Sequence, residues 1–231
     1  MGEVVVFAVI ASSALVVGAV IGVVRPPSQR ITAVLLGFAS GALISAMAFE
    51  LFQGAVVSGG PWRAGVALLI GATTFVVVDV WLTRRTERRQ ESGATIGFAL
   101  VTLDGVPENL ALGVSLIEAG SLPLLIAIFA SNLPEAIVGA RKMDESGLEK
   151  GRVVGIWVVA AVLLAVAVIV GFAALDRLDE VTLAWPLGFA GGAVLASLAD
   201  TLMPEAYQEG GPTVAYATAL GFLLSFLLSS V

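Results

Sequence analysis

The chain contains no cysteine and no histidine among its 231 residues, and only 13% of the residues are charged. Without cysteine there is neither a disulfide framework nor a thiolate metal site. Without histidine as well, no nucleophile–base pair can be found, which argues against an enzyme. The net charge is −6, whereas nucleic-acid binding needs a basic surface. We therefore expect neither catalysis nor a nucleic-acid partner, and no bound cofactor.

Apolar residues are abundant, at 58% of the chain with a mean hydropathy of +1.00. Runs of about 18 or more apolar residues predict membrane-spanning helices. We therefore expect one polytopic all-α domain over residues 1–231, multi-pass in a plasma (inner) membrane and surrounded by the lipid bilayer. The sequence contains eight such runs, numbered here as spans 1 to 8, at about 3–24, 31–56, 62–82, 95–118, 122–141, 153–175, 184–207 and 212–231.

Basic residues are distributed unevenly between the loops. Those after spans 1, 3 and 5 carry ten of the twelve, whereas Arg63 and Arg177 lie in other loops. Because basic loops stay in the cytoplasm, we expect these three loops, including the hydrophilic connector 83–94, to be cytoplasmic and both termini to be extracellular or periplasmic. The ten are Arg25, Arg30, Arg84, Arg85, Arg88, Arg89, Arg141, Lys142, Lys150 and Arg152.

A repeat relates spans 2 and 7. The segments GFASGALISAMAFELFQGAVVSGGP (37–61) and GFAGGAVLASLADTLMPEAYQEGGP (188–212) are identical at 11 of 25 positions without a gap. With the expected orientation the two spans run in opposite directions. Inverted repeats with interrupted helices are typical of transporters, although small-residue helix packing also produces similar segments.

Spans 4 and 5 form a fainter pair and carry polar residues inside apolar runs. DGVPENLALG (104–113) and SNLPEAIVGA (131–140) both contain Pro-Glu at the same relative place. An acidic residue at a span centre costs about 3 kcal/mol on insertion scales and usually faces the interior of the bundle. Asp104 and Glu108 share one helix face, as do Ser131 and Glu135, and Asn132 lies one turn before Glu135.

The two prolines add backbone oxygens at the same depth. Pro107 has no N–H for the carbonyl of Leu103, and Pro134 has none for the carbonyl of Ala130. Carboxylates, amide oxygens and free carbonyls suit a hard cation. We therefore predict a cation site that draws on five side chains: Asp104, Glu108, Ser131, Asn132 and Glu135.

Further polar residues extend this line in the related spans 2 and 7. Glu50 and Gln53 lie in the outer half of span 2, and Asp200 and Glu205 in the inner half of span 7. We predict that they mark the two vestibules of a pathway. For Glu50 and Glu205, the alternative is that each side chain extends to the membrane surface.

These residues resemble the ZIP (ZRT/IRT-like) family of divalent metal transporters. DGVPENLALGVS resembles its span-4 pattern His-x-x-Pro-Glu-Gly-x-Ala-x-Gly, and SNLPEAIVGA its span-5 Pro-Glu-Gly pattern. GFAGGAVLASLADTLMPEA resembles span 7, which often carries His-Glu-x-x-Pro-Glu. The resemblance covers most of the chain. It implies eight helices in a 3+2+3 inverted-repeat bundle, in which spans 1, 4, 5 and 6 move against the rest.

The chain departs from the family at several metal ligands. Asp104 and Asp200 stand where the family has histidines, and Gly105 stands where it has an asparagine ligand. Thr201 replaces an acidic neighbour, span 6 carries no carboxylate, and the third letters of the Pro-Glu-Gly motifs are Asn109 and Ala136. The resemblance thus implies a divergent, histidine-free member with one oxygen-only site. Such a site favours Mn²⁺, Fe²⁺ or Mg²⁺ over Zn²⁺, although carboxylates also bind zinc.

We therefore expect a secondary transporter that moves a divalent metal ion toward the cytoplasm without ATP, since no ATP-binding motif is present. One alternative is a proton-coupled transporter of a small solute that uses the same carboxylates as a proton relay. Another is a metal sensor or scaffold that keeps the fold without transport. The sequence leaves the metal, the coupling ion and the oligomeric state open, a homodimer included.

Overall fold

The computed structural model describes residues 1–89, 93–118, 122–175 and 178–230, apart from the side chains of residues 86–89, 93–104, 118, 175 and 180. Over these residues the protein is all-helical and no strand occurs. Two segments are π-helical, Met47–Phe52 and Leu198–Leu202. The α-helices are α1 (Gly2–Val24), α2 (Gln29–Ala46), α3 (Gln53–Gly59), α4 (Pro61–Arg89), α5 (Gly93–Glu118), α6 (Leu122–Glu145), α7 (Lys150–Leu175), α8 (Glu180–Ser197), α9 (Met203–Gly210) and α10 (Thr213–Ser229).

Long apolar helices dominate this architecture. Among the described residues, six helical stretches are long and apolar enough to cross a membrane: Gly2–Val24, Gln29–Gly59, Pro61–Arg85, Leu122–Glu145, Lys150–Ala174 and Val181–Gly210. The predicted spans 4 and 8 coincide with shorter apolar stretches, Gly105–Ile117 within α5 and Thr213–Ser229. The protein is therefore an all-α chain with several helices of membrane-spanning length.

The repeat seen in the sequence has a counterpart in the backbone. The π segments fall at equivalent positions of the two copies, since Met47 aligns with Leu198. Each copy then ends at a glycine with a positive φ, 82° at Gly60 and 60° at Gly211, a conformation that other residues rarely adopt. A proline follows each glycine and stands at the start of the next helix. Both copies of the repeat thus share a π segment and a glycine turn.

Glycines bring the helices together in four close pairs. A methyl group on Gly18 would overlap the carbonyl oxygen of Leu133, and one on Gly22 would overlap that of Ile137. Because both contacts advance in the same direction, α1 and α6 run parallel. The other three pairs are parallel too: α2–α10 through Gly37 with Val214 and Gly41 with Thr218, α4–α8 through Gly188 with Ala64 and Gly192 with Leu68, and α5–α7 through Gly105 with Leu164 and Gly113 with Val168.

The pairs assemble into two parts. Helices α1, α5, α6 and α7 pack on one another, and part of their shared core is formed by Leu15, Ala136, Trp157 and Leu164. The pairs α2–α10 and α4–α8 form the rest, together with α3, α9 and the π segments. The two parts meet where α2 packs on α6 and where α8 packs on α5. Each Pro-Glu helix therefore packs on a helix of one copy of the repeat, α6 on α2 and α5 on α8.

One boundary differs from the sequence expectation. Helix α4 continues to Arg89, beyond the predicted end of span 3, because the segment TRRTERR is rich in arginine, a strong helix former. Helices α5 and α6 continue through Pro107 and Pro134. Regular α-helix is interrupted in the π segments of spans 2 and 7, which contain Glu50 and Asp200.

Candidate metal centre

Glu108 is the most deeply buried carboxylate among the side chains that the structure describes, with 1% of its surface exposed. It follows Pro107 in α5, and its Oε2 lies 3.4 Å from the hydroxyl oxygen of Ser131 in α6. Ser131 is fully buried as well. The contact joins the two Pro-Glu segments through polar atoms at the centre of an apolar bundle.

The proton of Ser131 has a nearer acceptor than Glu108. The hydroxyl lies 3.0 Å from the carbonyl oxygen of Ile128, one turn earlier in α6. A hydroxyl has one proton and two lone pairs, so Ser131 can donate to only one of these two acceptors at a time. Whichever acceptor receives the proton, a lone pair of Ser131 stays available to a cation bound at Glu108.

Asn132 and Glu135 stand beside this contact on α6. Asn132 has no exposed surface, and neither its Oδ1 nor its Nδ2 has a hydrogen-bond partner among the described residues. Glu135 is partly buried and lies four residues after Ser131, on the same helix face. The structure thus brings Glu108 and Ser131 into contact, and helix geometry places Asn132 and Glu135 within one turn of that contact.

Asp104 completes the predicted set, but its side chain lies outside those the structure describes; its backbone is part of α5, four residues before Glu108. Among the described residues, no group of three or more His, Cys, Asp or Glu side chains comes together. The described part of the centre is two carboxylates on neighbouring helices, supplemented by an amide and a hydroxyl. This donor set consists of oxygen, the kind of ligand that hard divalent cations prefer.

Asn109 is a buried polar residue that the sequence analysis noted only as a departure from a motif. It directly follows Glu108 and has no exposed surface. Its Nδ2 donates a 2.9 Å hydrogen bond to the carbonyl oxygen of Gly105, and its Oδ1 has no partner among the described residues. The signal for Asn109 in the sequence is an asparagine in the middle of an apolar run.

The predicted pathway residues lie away from this contact. Glu50 is partly buried in the first π segment, and Gln53 is exposed at the start of α3. Asp200 is exposed in the second π segment and lies within electrostatic reach of Asp79 in α4. π-helical turns occur frequently at functional sites, and both of these turns carry an acidic residue.

Glu205 lies at the mouth of a cavity between α2, α6 and α9. Its Oε1 is 2.6 Å from Nζ of Lys142, so an ion pair joins α9 to α6. The cavity has a volume of about 90 Å³ and is lined by charged residues at the surface and by Leu36, Ile137 and Val138. Val138 lies three residues after Glu135, on the next turn of α6. The cavity therefore comes within one helical turn of the candidate centre.

Comparisons with known proteins identify no relative, because no protein-family model matches the chain and no curated protein sequence matches it significantly.

Proposed function

We propose that this protein is a ZIP-like secondary transporter that moves a divalent cation toward the cytoplasm. The observation that carries the proposal is Glu108, a carboxylate with 1% exposure that touches Ser131 across two Pro-Glu helices. Acidic residues inside apolar helix bundles mark ion pathways and binding sites. Beside Glu108, both amide atoms of Asn132 have no partner among the described residues. A divalent cation would bind Asn132 Oδ1 together with the carboxylate of Glu108.

The donors that the structure describes suit one divalent ion in charge. Glu108 and Glu135 together offset two positive charges, whereas Ser131 and Asn132 contribute oxygens without charge. Asp104, predicted from the sequence as a further ligand, lies outside the described side chains and would add a third carboxylate. Since the centre has no imidazole, it favours Mn²⁺, Fe²⁺ or Mg²⁺. Its carboxylates can also bind Zn²⁺.

The proposed topology has eight spans, with both termini outside and a 3+2+3 inverted repeat. The four close pairs support this topology. In a chain whose spans alternate in direction, all odd-numbered spans are parallel to one another, and so are all even-numbered spans. Each close pair joins two odd-numbered or two even-numbered spans, and each is parallel. Eight spans that alternate in direction would produce this result. The basic loops after spans 1, 3 and 5 support the proposed orientation.

The proposed route leads from the centre to the cavity at Glu205. Leu36, Ile137 and Val138 close the way between them, and Lys142 is paired with Glu205 at the surface. Movement of α1, α5, α6 and α7 against the other helices would open this barrier and close the opposite one. An ion gradient or the membrane potential would drive the cycle.

Uptake into proteoliposomes tests the proposal. Mn²⁺, Fe²⁺, Zn²⁺ and Mg²⁺ are offered to the intact protein and to the double variant Glu108→Gln/Glu135→Gln, and Glu149→Gln at an exposed turn is the matched control. We expect chelator-sensitive flux of at least one ion, its loss in the double variant and its retention in Glu149→Gln.

Other results would assign another function to the same carboxylates. Flux of a small solute that needs a pH gradient and ignores chelators would overturn metal transport in favour of a proton-coupled solute carrier. Metal binding without flux of any ion would overturn it in favour of a sensor or scaffold.

A further inference from the structure

The carboxamide of Asn109 is held in one orientation. Its Nδ2 donates to the carbonyl oxygen of Gly105 at 2.9 Å. A carbonyl only accepts hydrogen bonds, so the amino group must face Gly105 and Oδ1 must point away from it. Oδ1 has no partner among the described residues, and Asn109 has no exposed surface. The result is a fixed, buried oxygen acceptor beside Glu108.

Such an atom is expensive in a bundle interior. Leaving a buried acceptor unsatisfied costs about 1–3 kcal/mol, and the large majority of buried side-chain polar atoms in proteins have a partner. Helical side chains point back toward the N-terminus of their helix. The carboxamide of Asn109 therefore covers Gly105, where a side chain at position 105 would otherwise stand. Asn109 supplies an oxygen in the region that the glycine leaves open.

The direction of this oxygen follows from the neighbouring helix. A methyl group on Gly105 would overlap Leu164 of α7. Asn109 is four residues on from Gly105 and shares its face, so its carboxamide lies on the side of α5 that faces α7. That part of α7 is apolar; Ala160, Ala161 and Leu164 are buried there and offer no side-chain donor.

Asn132 lies on the same side of the bundle. A methyl group on Gly139 would overlap Trp157 of α7. Seven residues separate Gly139 from Asn132, two turns of helix, so both face α7. Glu108 touches Ser131. Asn109 directly follows Glu108, and Asn132 directly follows Ser131. Because α5 and α6 run in opposite directions, advancing by one residue along each helix rotates the side chain toward the same side of the helix pair.

We infer that Asn109 and Asn132 form a pair of neutral oxygen ligands, on the α7 side of Glu108 and Glu135, for the transported cation. The inference rests on the proposed function and adds a ligand, Asn109, and a selectivity. Two amides add coordination without adding to the negative charge of the carboxylates. Additional neutral oxygens favour a hard ion with six or more oxygen ligands, Mn²⁺ or Mg²⁺, over tetrahedral Zn²⁺.

Metal binding to the purified full-length protein tests the inference. Mn²⁺ affinity is measured from the electron paramagnetic resonance signal of the free ion, and Zn²⁺ affinity by competition. The variants are Asn109→Ala, Asn109→Asp and Glu108→Gln, with Ser225→Ala as the control. Ser225 is also buried and its Oγ has no partner among the described residues, but it lies on α10.

We expect Asn109→Ala to weaken Mn²⁺ binding at least about tenfold, the lower end of what the loss of a supporting group costs a metal site. Zn²⁺ binding should weaken less, so the preference for Mn²⁺ falls. Asn109→Asp loses the hydrogen bond to Gly105 but supplies a carboxylate oxygen, and it should retain Mn²⁺ binding, which separates ligation from the loss of that hydrogen bond. Ser225→Ala should match the unaltered protein.

Two outcomes overturn the inference in different ways. If Asn109→Ala binds Mn²⁺ as tightly as Ser225→Ala while Glu108→Gln loses binding, the metal centre stands and Asn109 is not part of it. If the unaltered, folded protein binds neither ion, the proposed function fails and the inference fails with it.

Discussion

Oε2 of Glu108 lies 3.4 Å from the hydroxyl oxygen of Ser131, and this one contact joins the two Pro-Glu helices through polar atoms. The hydroxyl of Ser131 lies within hydrogen-bonding distance of both Glu108 and the carbonyl oxygen of Ile128 in its own helix. In the proposed function, a lone pair of this hydroxyl binds the cation beside Glu108. The first prediction concerns this serine.

Replacing Ser131 with alanine removes one oxygen from the centre and leaves both carboxylates. We expect the KM for Mn²⁺ uptake to rise about three- to tenfold, with kcat largely retained. Ser115→Ala is a matched control, because Ser115 is buried on α5 and makes the same kind of local bond, to the carbonyl oxygen of Leu112. An equal rise of KM in both variants would show that Ser131 acts only through its own helix.

The ion pair between Lys142 and Glu205 should govern access rather than stability. Both side chains are substantially exposed, at 68% and 37%, and exposed pairs contribute less than about 1 kcal/mol. We expect Lys142→Ala to leave the melting temperature nearly unchanged. Lys142, Glu205 and Val138 line the same cavity, so on the proposed route a cysteine placed at Val138 should react faster with a thiol reagent in this variant.

Because the chain contains no cysteine, the cysteine introduced at position 138 is the one thiol that the reagent can modify. The reversed pair, Lys142→Glu with Glu205→Lys, should return the labelling rate at position 138 to that of the parent protein. An unchanged rate in Lys142→Ala, or no recovery in the reversed pair, would contradict a closing role.

Helix α7 offers two glycines for a matched test of close packing. A methyl group on Gly171 would overlap the carbonyl oxygen of Leu110 in α5, whereas nothing lies within 4 Å of one on Gly155. Gly171→Ala should therefore destabilise the protein by about 1–3 kcal/mol. Gly155→Ala should be neutral or slightly stabilising, since alanine favours a helix. Thermal melts in detergent that are equal for both variants would refute the close approach of α5 and α7.

The proposed orientation can be measured with single cysteines. Val57, with 81% exposure, precedes the turn between spans 2 and 3, which should be outside. Ser146 is exposed after span 5, which should be inside. In intact cells a membrane-impermeant thiol reagent should label Val57→Cys and reach Ser146→Cys only after permeabilisation. Labelling of both without permeabilisation would contradict the eight-span arrangement.

Much of the helical architecture was predictable because apolar runs and loop charges are local features of the sequence. The segments 3–24 and 122–141 match α1 and α6 closely. The all-α fold is confirmed, and six of the helices have the length and composition of membrane spans within the described residues. The eight-span topology stays a prediction.

Other features depend on packing between helices and were not predictable. Regular α-helix gives way to π segments at Met47–Phe52 and Leu198–Leu202, and neither segment contains a proline. A π turn depends on which side chains meet across neighbouring helices, which a single sequence does not specify. The orientation of Asn109 likewise depends on Gly105 having no side chain and on α7 being apolar at that level. The contact of Glu108 with Ser131 joins the two Pro-Glu segments, and the metal site there stays a prediction.

The central claim, that a divalent cation binds between α5 and α6, is tested most directly by locating the ion. Crystals grown with Mn²⁺ would be measured for anomalous scattering from the metal. The account predicts a peak about 2.1–2.6 Å from carboxylate oxygens of Glu108 and Glu135, and its loss in Glu108→Gln. Well-ordered α5 and α6 with no peak between them, in saturating Mn²⁺, would contradict the account.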